Sequence, residues 1–139
     1  MLLNTKGPTF RNFPRSDLAV KKTVRGSVPS IPFESIARSV LGTRYELSLV
    51  ICGDQLAANM NRRYRKKHYA ANVLSFPLDK QEGEIFLNIN AAKREATHYG
   101  ASLRARLVLL FVHGCLHLKG LPHGKTMDRE TEKMLKKFG

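Results

Sequence analysis

"SLRARLVLLFVHGCLHLKG", residues 102–120, is the most apolar long stretch of the chain, and it carries helix punctuation at both ends. Ser102 offers a side-chain acceptor suited to an N-cap, and Gly120 readily takes the left-handed conformation that closes a helix. Between them Leu103, Leu107, Leu110, Phe111 and Leu116 leave little polar surface. The stretch therefore predicts a central helix, buried nearly all round.

The remaining chain supplies partners for it. "IPFESIARSVLG" (31–42) reads as a helix with Pro32 in its first turn, Phe33, Ile36, Ala37 and Val40 on one face, and Gly42 as its stop. "YELSLVIC" (45–52) alternates Tyr45, Leu47, Leu49 and Ile51 with Glu46 and Ser48, as a half-buried strand does. A second helix follows, with Asp54 as its cap and Leu56, Met60 and Tyr64 as its core face. "NVLSFPL" (72–78) and "GEIFLNIN" (83–90) predict two strands joined by a hairpin loop over "DKQEG". "AAKREATHY" is a helix that stops at Gly100, and Thr126 caps a last one using Met127, Met134, Leu135 and Phe138. "LAVKKTVR" (18–25) is a weaker candidate for a first strand. The expected fold is α+β: one domain over 1–139, a mixed sheet of about four strands packed with helices, and a central apolar helix. Residues 1–30 are weakly patterned, with six basic groups, one acid and three prolines, and part of that segment is expected to be mobile.

Composition limits what such a domain can do. At 139 residues and 42% hydrophobic content the chain suits a single core. No apolar run approaches the roughly 20 residues of a membrane span, and the N-terminus lacks a signal-peptide layout, so a cytoplasmic location without a membrane partner is expected. Cys52 and Cys115 form no disulfide framework and are expected to be reduced and buried. The 24 Lys and Arg against 11 Asp and Glu give a net +13, which points to a polyanionic partner. No basic amphipathic helix with an aromatic-rich face favours membranes, so nucleic acid is the preferred reading.

The central helix also carries chemistry. His113 and His117 stand one turn apart on one face, and a chain turning at Gly120 can return His123 to the same point, with Pro122 stiffening its approach. Three neutral imidazoles suit one Zn²⁺ ion, with water in the fourth position, and an open position belongs to catalysis. The plainer alternative, that these are ordinary packing or surface histidines, fits a lone pair better than three at this spacing. His68 and His98 lack partners at ligand spacing, and Cys115 falls on roughly the opposite side of the helix from His113. Metzincin proteases use the same histidine spacing, but with a glutamate general base after the first histidine. Gly114 stands there in this chain, which argues against peptide hydrolysis.

"HGCLHLKGLPH" (113–123) resembles the histidine signature of the YbeY family of metal-dependent endoribonucleases. "NRRYRKKHYAANVLSFPL" (61–78) and "GEIFLNIN" resemble two further blocks of that family, in the same order. Four positions differ: Leu121-Pro122 replaces the family's Tyr-Asp, Ala71 its Thr, and Glu84 the Asp of its Gly-Asp. The resemblance implies a zinc-dependent endoribonuclease cutting single-stranded RNA, in small-subunit rRNA end processing and ribosome quality control. Ribosomal proteins or a ribosome-associated GTPase are its implied partners. It assigns His113, His117 and His123 to the metal and matches Arg65 to the family's functional arginine. Arg63, Lys66 and Lys67 are then expected on the RNA backbone, although the plain reading of "RRYRKK" (62–67) is a solvated face. Two other classes stay open: a non-catalytic zinc-containing RNA- or ribosome-binding module, and a zinc hydrolase of peptides or small molecules.

Overall fold

Ser102 accepts a hydrogen bond from the Ala105 N–H (3.0 Å) and opens the long helix that organises the molecule, Leu103–Leu118. The structure, a computed structural model, describes residues 18–139. The expectations for residues 1–17 lie outside the described residues. In chain order the elements are β1 (Leu18–Lys22), α1 (Phe33–Leu41), β2 (Glu46–Cys52), α2 (Asp54–Arg65), β3 (Val73–Asp79), β4 (Glu82–Asn88), α3 (Ile89–Tyr99), α4 (Leu103–Leu118) and α5 (Lys125–Phe138). The fold is α+β, as the pattern predicts. Its mixed four-stranded sheet has the order β1-β2-β4-β3, with β3 and β4 antiparallel and the other pairs parallel. Pro77, which cannot donate to a ladder, is tolerated because β3 lies at the sheet edge. No single helix among the described residues is long and apolar enough to cross a membrane.

The sheet has a core on each face. On one, Leu47, Leu49, Ile51, Ile85 and Leu87 pack with α1, α4 and α5. Within this cluster Phe33 and Phe111 meet edge to face, with centroids 4.8 Å apart. On the other, Val50, Cys52, Leu74 and Phe86 pack under Ala57 and Met60 of α2. Cys52 and Cys115 are free and buried, in different clusters.

Four expectations need correction. β2 is buried on both faces, because it lies between β1 and β4 with helices above and below, and Ser48 is covered along with its apolar neighbours. α2 presents Ala57, Met60 and Asn61 inward, while Leu56 and Tyr64 are only partly covered. Its N-cap is Gly53, since the Asp54 carboxylate is drawn away to Arg94 (2.8 Å) and Asn88 (2.9 Å). α5 likewise begins at Lys125 after Gly124, before the predicted cap Thr126.

The Asp54 contacts carry a testable pH dependence. Hydrogen bonds from Arg94 and then Asn88 hold its carboxyl down at about 2, below the ordinary 3.8. A carboxyl depressed on folding stabilises above its unfolded pKa, and that stabilisation is lost as pH falls through the folded one. Acid unfolding of Asp54→Asn is therefore expected to depend less on pH between about 4 and 2 than that of the unaltered chain. Equal dependence in a urea series would show that the bridge contributes nothing.

Candidate active site

The end of α4 builds the histidine cluster. Gly120, at φ +102°, donates to the His117 carbonyl (2.9 Å), and Leu121 N–H donates to that of Leu116 (3.0 Å). These two bonds form the Schellman closure that a glycine at this position allows, and the Leu121 side chain packs back on the core. The turn lays His123 against His117, the two rings edge to face with centroids 4.6 Å apart. His117 Nδ1–H donates to the Leu121 carbonyl (3.1 Å), so its Nε2 keeps a lone pair.

His113, His117 and His123 line one cleft of about 580 Å³ together with Arg65. Arg65 is the last residue of α2 and reaches the cleft because of how that helix ends. Lys66 takes the left-handed conformation (φ 59°), Lys67 N–H donates to the Asn61 carbonyl (3.2 Å), and buried Asn61 donates from Nδ2 to the Tyr69 carbonyl (2.9 Å). This pins both Arg65 and Tyr69 at the rim. Arg63, Lys66 and Lys67 are exposed around the same helix end and do not line the cleft. Arg63 lies over the Tyr64 ring, 5.8 Å from its centroid. His68 and His98 are exposed.

Ser75 from β3 and Arg106 and Leu110 from α4 complete the walls with the 71–73 stretch. Ser75 donates to the Gly114 carbonyl (2.9 Å), fastening the edge strand to the histidine helix. The sequence reading missed Arg106, Asn72 and Tyr69. Arg106 had a signal: it is the cation seven residues before His113, two turns away and on the same face.

Burial, then the neighbouring His117 and His123, holds His113 below the ordinary imidazole range. His117 is lowered by burial and by His123, with Arg65 adding to the effect against the Leu121 hydrogen bond. Both rings are thus biased toward the neutral form that ligates metal. Among the described residues no three His, Cys, Asp or Glu side chains are placed so that they could hold one metal ion. The donor chemistry nevertheless fits a zinc ion: three imidazoles share one cleft, two are biased toward neutrality, and a backbone carbonyl orients the last-turn ring of His117.

The family model for Endoribonuclease YbeY matches residues 16–138. The chain belongs to the YbeY family. The chain is 38% identical to Endoribonuclease YbeY of Mycoplasma mycoides over 96 residues, which is 61% of this chain and 58% of the relative. It is 40% identical to that of Polynucleobacter asymbioticus over 81 residues, 55% and 51% of the two chains. With that of Helicobacter pylori the identity is 36% over 104 residues, 72% and 73%. The chain thus spans little more than half the length of the first two relatives. A solution structure from Thermotoga maritima shares the fold, with TM-score 0.61 at 17% identity, over 85% of this chain and 87% of the other. The replacement of the usual YbeY Tyr-Asp by Leu121-Pro122 leaves the His117 contact intact, because Leu121 makes it through its backbone.

Proposed function

We propose that this chain is a zinc-dependent endoribonuclease that cuts single-stranded RNA in rRNA maturation and ribosome quality control. The observation that carries the reading is the shared cleft: an arginine from α2, two histidines of α4 and a third from the turn after it face one space. Membership of the YbeY family and the endoribonuclease names of the relatives support it.

His113, His117 and His123 would hold the metal through their unprotonated ring nitrogens. Zinc, when bound, supplies Lewis-acid polarisation of a phosphodiester oxygen. Arg65 grips the same phosphate with two parallel N–H donors and stabilises the charge that builds on phosphorus. Tyr69, 57% exposed at the rim, offers an aromatic face on which an unpaired base can stack, a contact that a duplex would deny it. Arg63, Lys66 and Lys67 extend the positive surface beyond the cleft and hold the strand through its backbone. A cytoplasmic ribosomal substrate, alone or with a ribosome-associated protein, accords with the net charge of +13.

The deciding experiment compares the unaltered chain with His117→Ala for bound zinc and for cleavage of single-stranded and duplex RNA. The unaltered chain is expected to carry zinc and cut the single strand. His117→Ala is expected to lose the metal and at least about 100-fold in cleavage, beyond the 10- to 100-fold typical of losing a ligand's supporting partner. Cleavage by His117→Ala at the unaltered rate would overturn the assignment, and zinc retention without RNA cleavage would indicate a binding module.

A further inference from the structure

Arg106 lines the cleft, yet no step above uses it. Its Nε donates to Glu95 Oε1 of α3 (2.7 Å), and the other oxygen of that carboxylate accepts from Asn72 Nδ2 (3.0 Å). One flat side of the guanidinium lies over the Tyr99 ring, 4.8 Å from the centroid. The Arg106 and Glu95 side chains are only 19% and 26% exposed.

The nearest comparison within the molecule is Arg94, which closes on Asp54 through both terminal nitrogens at 2.8 Å. That is a finished bridge between elements. Arg106 is tied differently, because Asn72 occupies the second Glu95 oxygen and only Nε is engaged. Its two terminal amino groups make no hydrogen bond among the described residues. A cation with a fixed position and free N–H donors on a cleft wall loses little side-chain freedom when an oxyanion arrives.

We propose that Arg106 is a second phosphate contact for the substrate strand, and that Glu95 and Asn72 are positioning residues that aim it. This deepens the endoribonuclease reading and rests on it. Arg65 and Arg106 come from different elements to one cleft, so an RNA strand can be held at two phosphates, one beside the histidines and one further along α4. Holding two successive phosphates fixes the direction of the strand, which a single contact cannot do.

The test measures binding of a single-stranded oligoribonucleotide across a salt series, together with KM, kcat and thermal unfolding. Arg106→Gln is expected to bind about 10-fold more weakly and to lower the salt slope by about 0.7, the single-strand value for one lost phosphate contact. Arg38→Gln, which removes an exposed cation lining a different cavity, should leave the KM unchanged. Glu95→Gln keeps the Arg106 charge and hence the slope, while loosened aim lowers cleavage at saturating RNA several-fold. An Arg106→Gln protein with unaltered slope and KM but lowered thermal stability would show that Arg106 only braces α3 against α4. Should Arg106→Gln fail to fold, Arg106→Lys decides: an unchanged KM overturns the proposal, and a raised KM with the slope retained upholds it. Failure of the endoribonuclease reading looks different, since the unaltered chain would then not cut the oligonucleotide, whereas the salt slope of any binding that remains still reports on Arg106.

Discussion

Arg65→Lys is expected to bind single-stranded RNA nearly as tightly as the unaltered chain while cutting it about 100-fold or more slowly at saturation. Charge is conserved, so the summed attraction to the backbone remains. What goes is the planar fork, two N–H groups spaced to meet two phosphate oxygens as charge grows on them, and an ammonium offers only a point charge instead. The position is suited to that demand because Arg65 is delivered to the cleft by a helix end that Asn61 ties down through the Tyr69 carbonyl. Replacing Lys66 and Lys67 by Ala should do the reverse, weakening binding and flattening its salt dependence by up to about 0.7 per lost contact while saturated cleavage survives. Single-turnover rates at saturating RNA separate the two outcomes. Equal rates for Arg65→Lys and the unaltered chain would make Arg65 one more member of the basic surface.

Gly114→Glu is expected to destabilise the fold strongly, not to create a protease. The substitution supplies the metzincin pattern in sequence, but it lands against closely packed side chains that would have to shift. A Cβ at Gly114 would meet Ile85 Cδ1 and Val73 Cγ2 at 3.1 Å and Ser75 Oγ at 3.3 Å. The rest of the side chain would drive a carboxylate between α4 and the β3–β4 hairpin, where burial of an unpaired charge adds to the overlap. A cost above about 4 kcal/mol is expected, a large share of the 5–15 kcal/mol that typically holds a domain together. A soluble Gly114→Glu protein with an unaltered thermal midpoint would refute this account of the glycine.

Much of the fold was legible because the deciding signals are local. Ser102, Gly120 and the apolar run between them are contiguous, and the caps form where the sequence places them. The burial of β2 on both faces was not legible: Glu46 and Ser48 give an alternating pattern, and only the pairing with β1 and β4 makes the strand central. Asp54 failed as a cap for a related reason, since Arg94, forty positions on, competes for its carboxylate. Asn61 is buried because its amide serves the Tyr69 carbonyl, a role no helical periodicity encodes. The site divides the same way. The histidine spacing is carried by one helix and one turn, whereas Arg106 acquires its setting from Glu95, on a separate helix.

The two cysteines make the protein its own unfolding clock. Alkylating reagents attack thiolates, and burial pushes the Cys52 thiol up to about 12 and the Cys115 thiol upward as well, so neither reacts while the layers are closed. Cys52 is shielded by α2 and Cys115 by the packing of α4. Their separate labelling rates would time the loosening of the arginine-bearing layer and of the histidine-bearing layer independently. Loss of the fold under stress could thereby be traced to the half of the site that parts first.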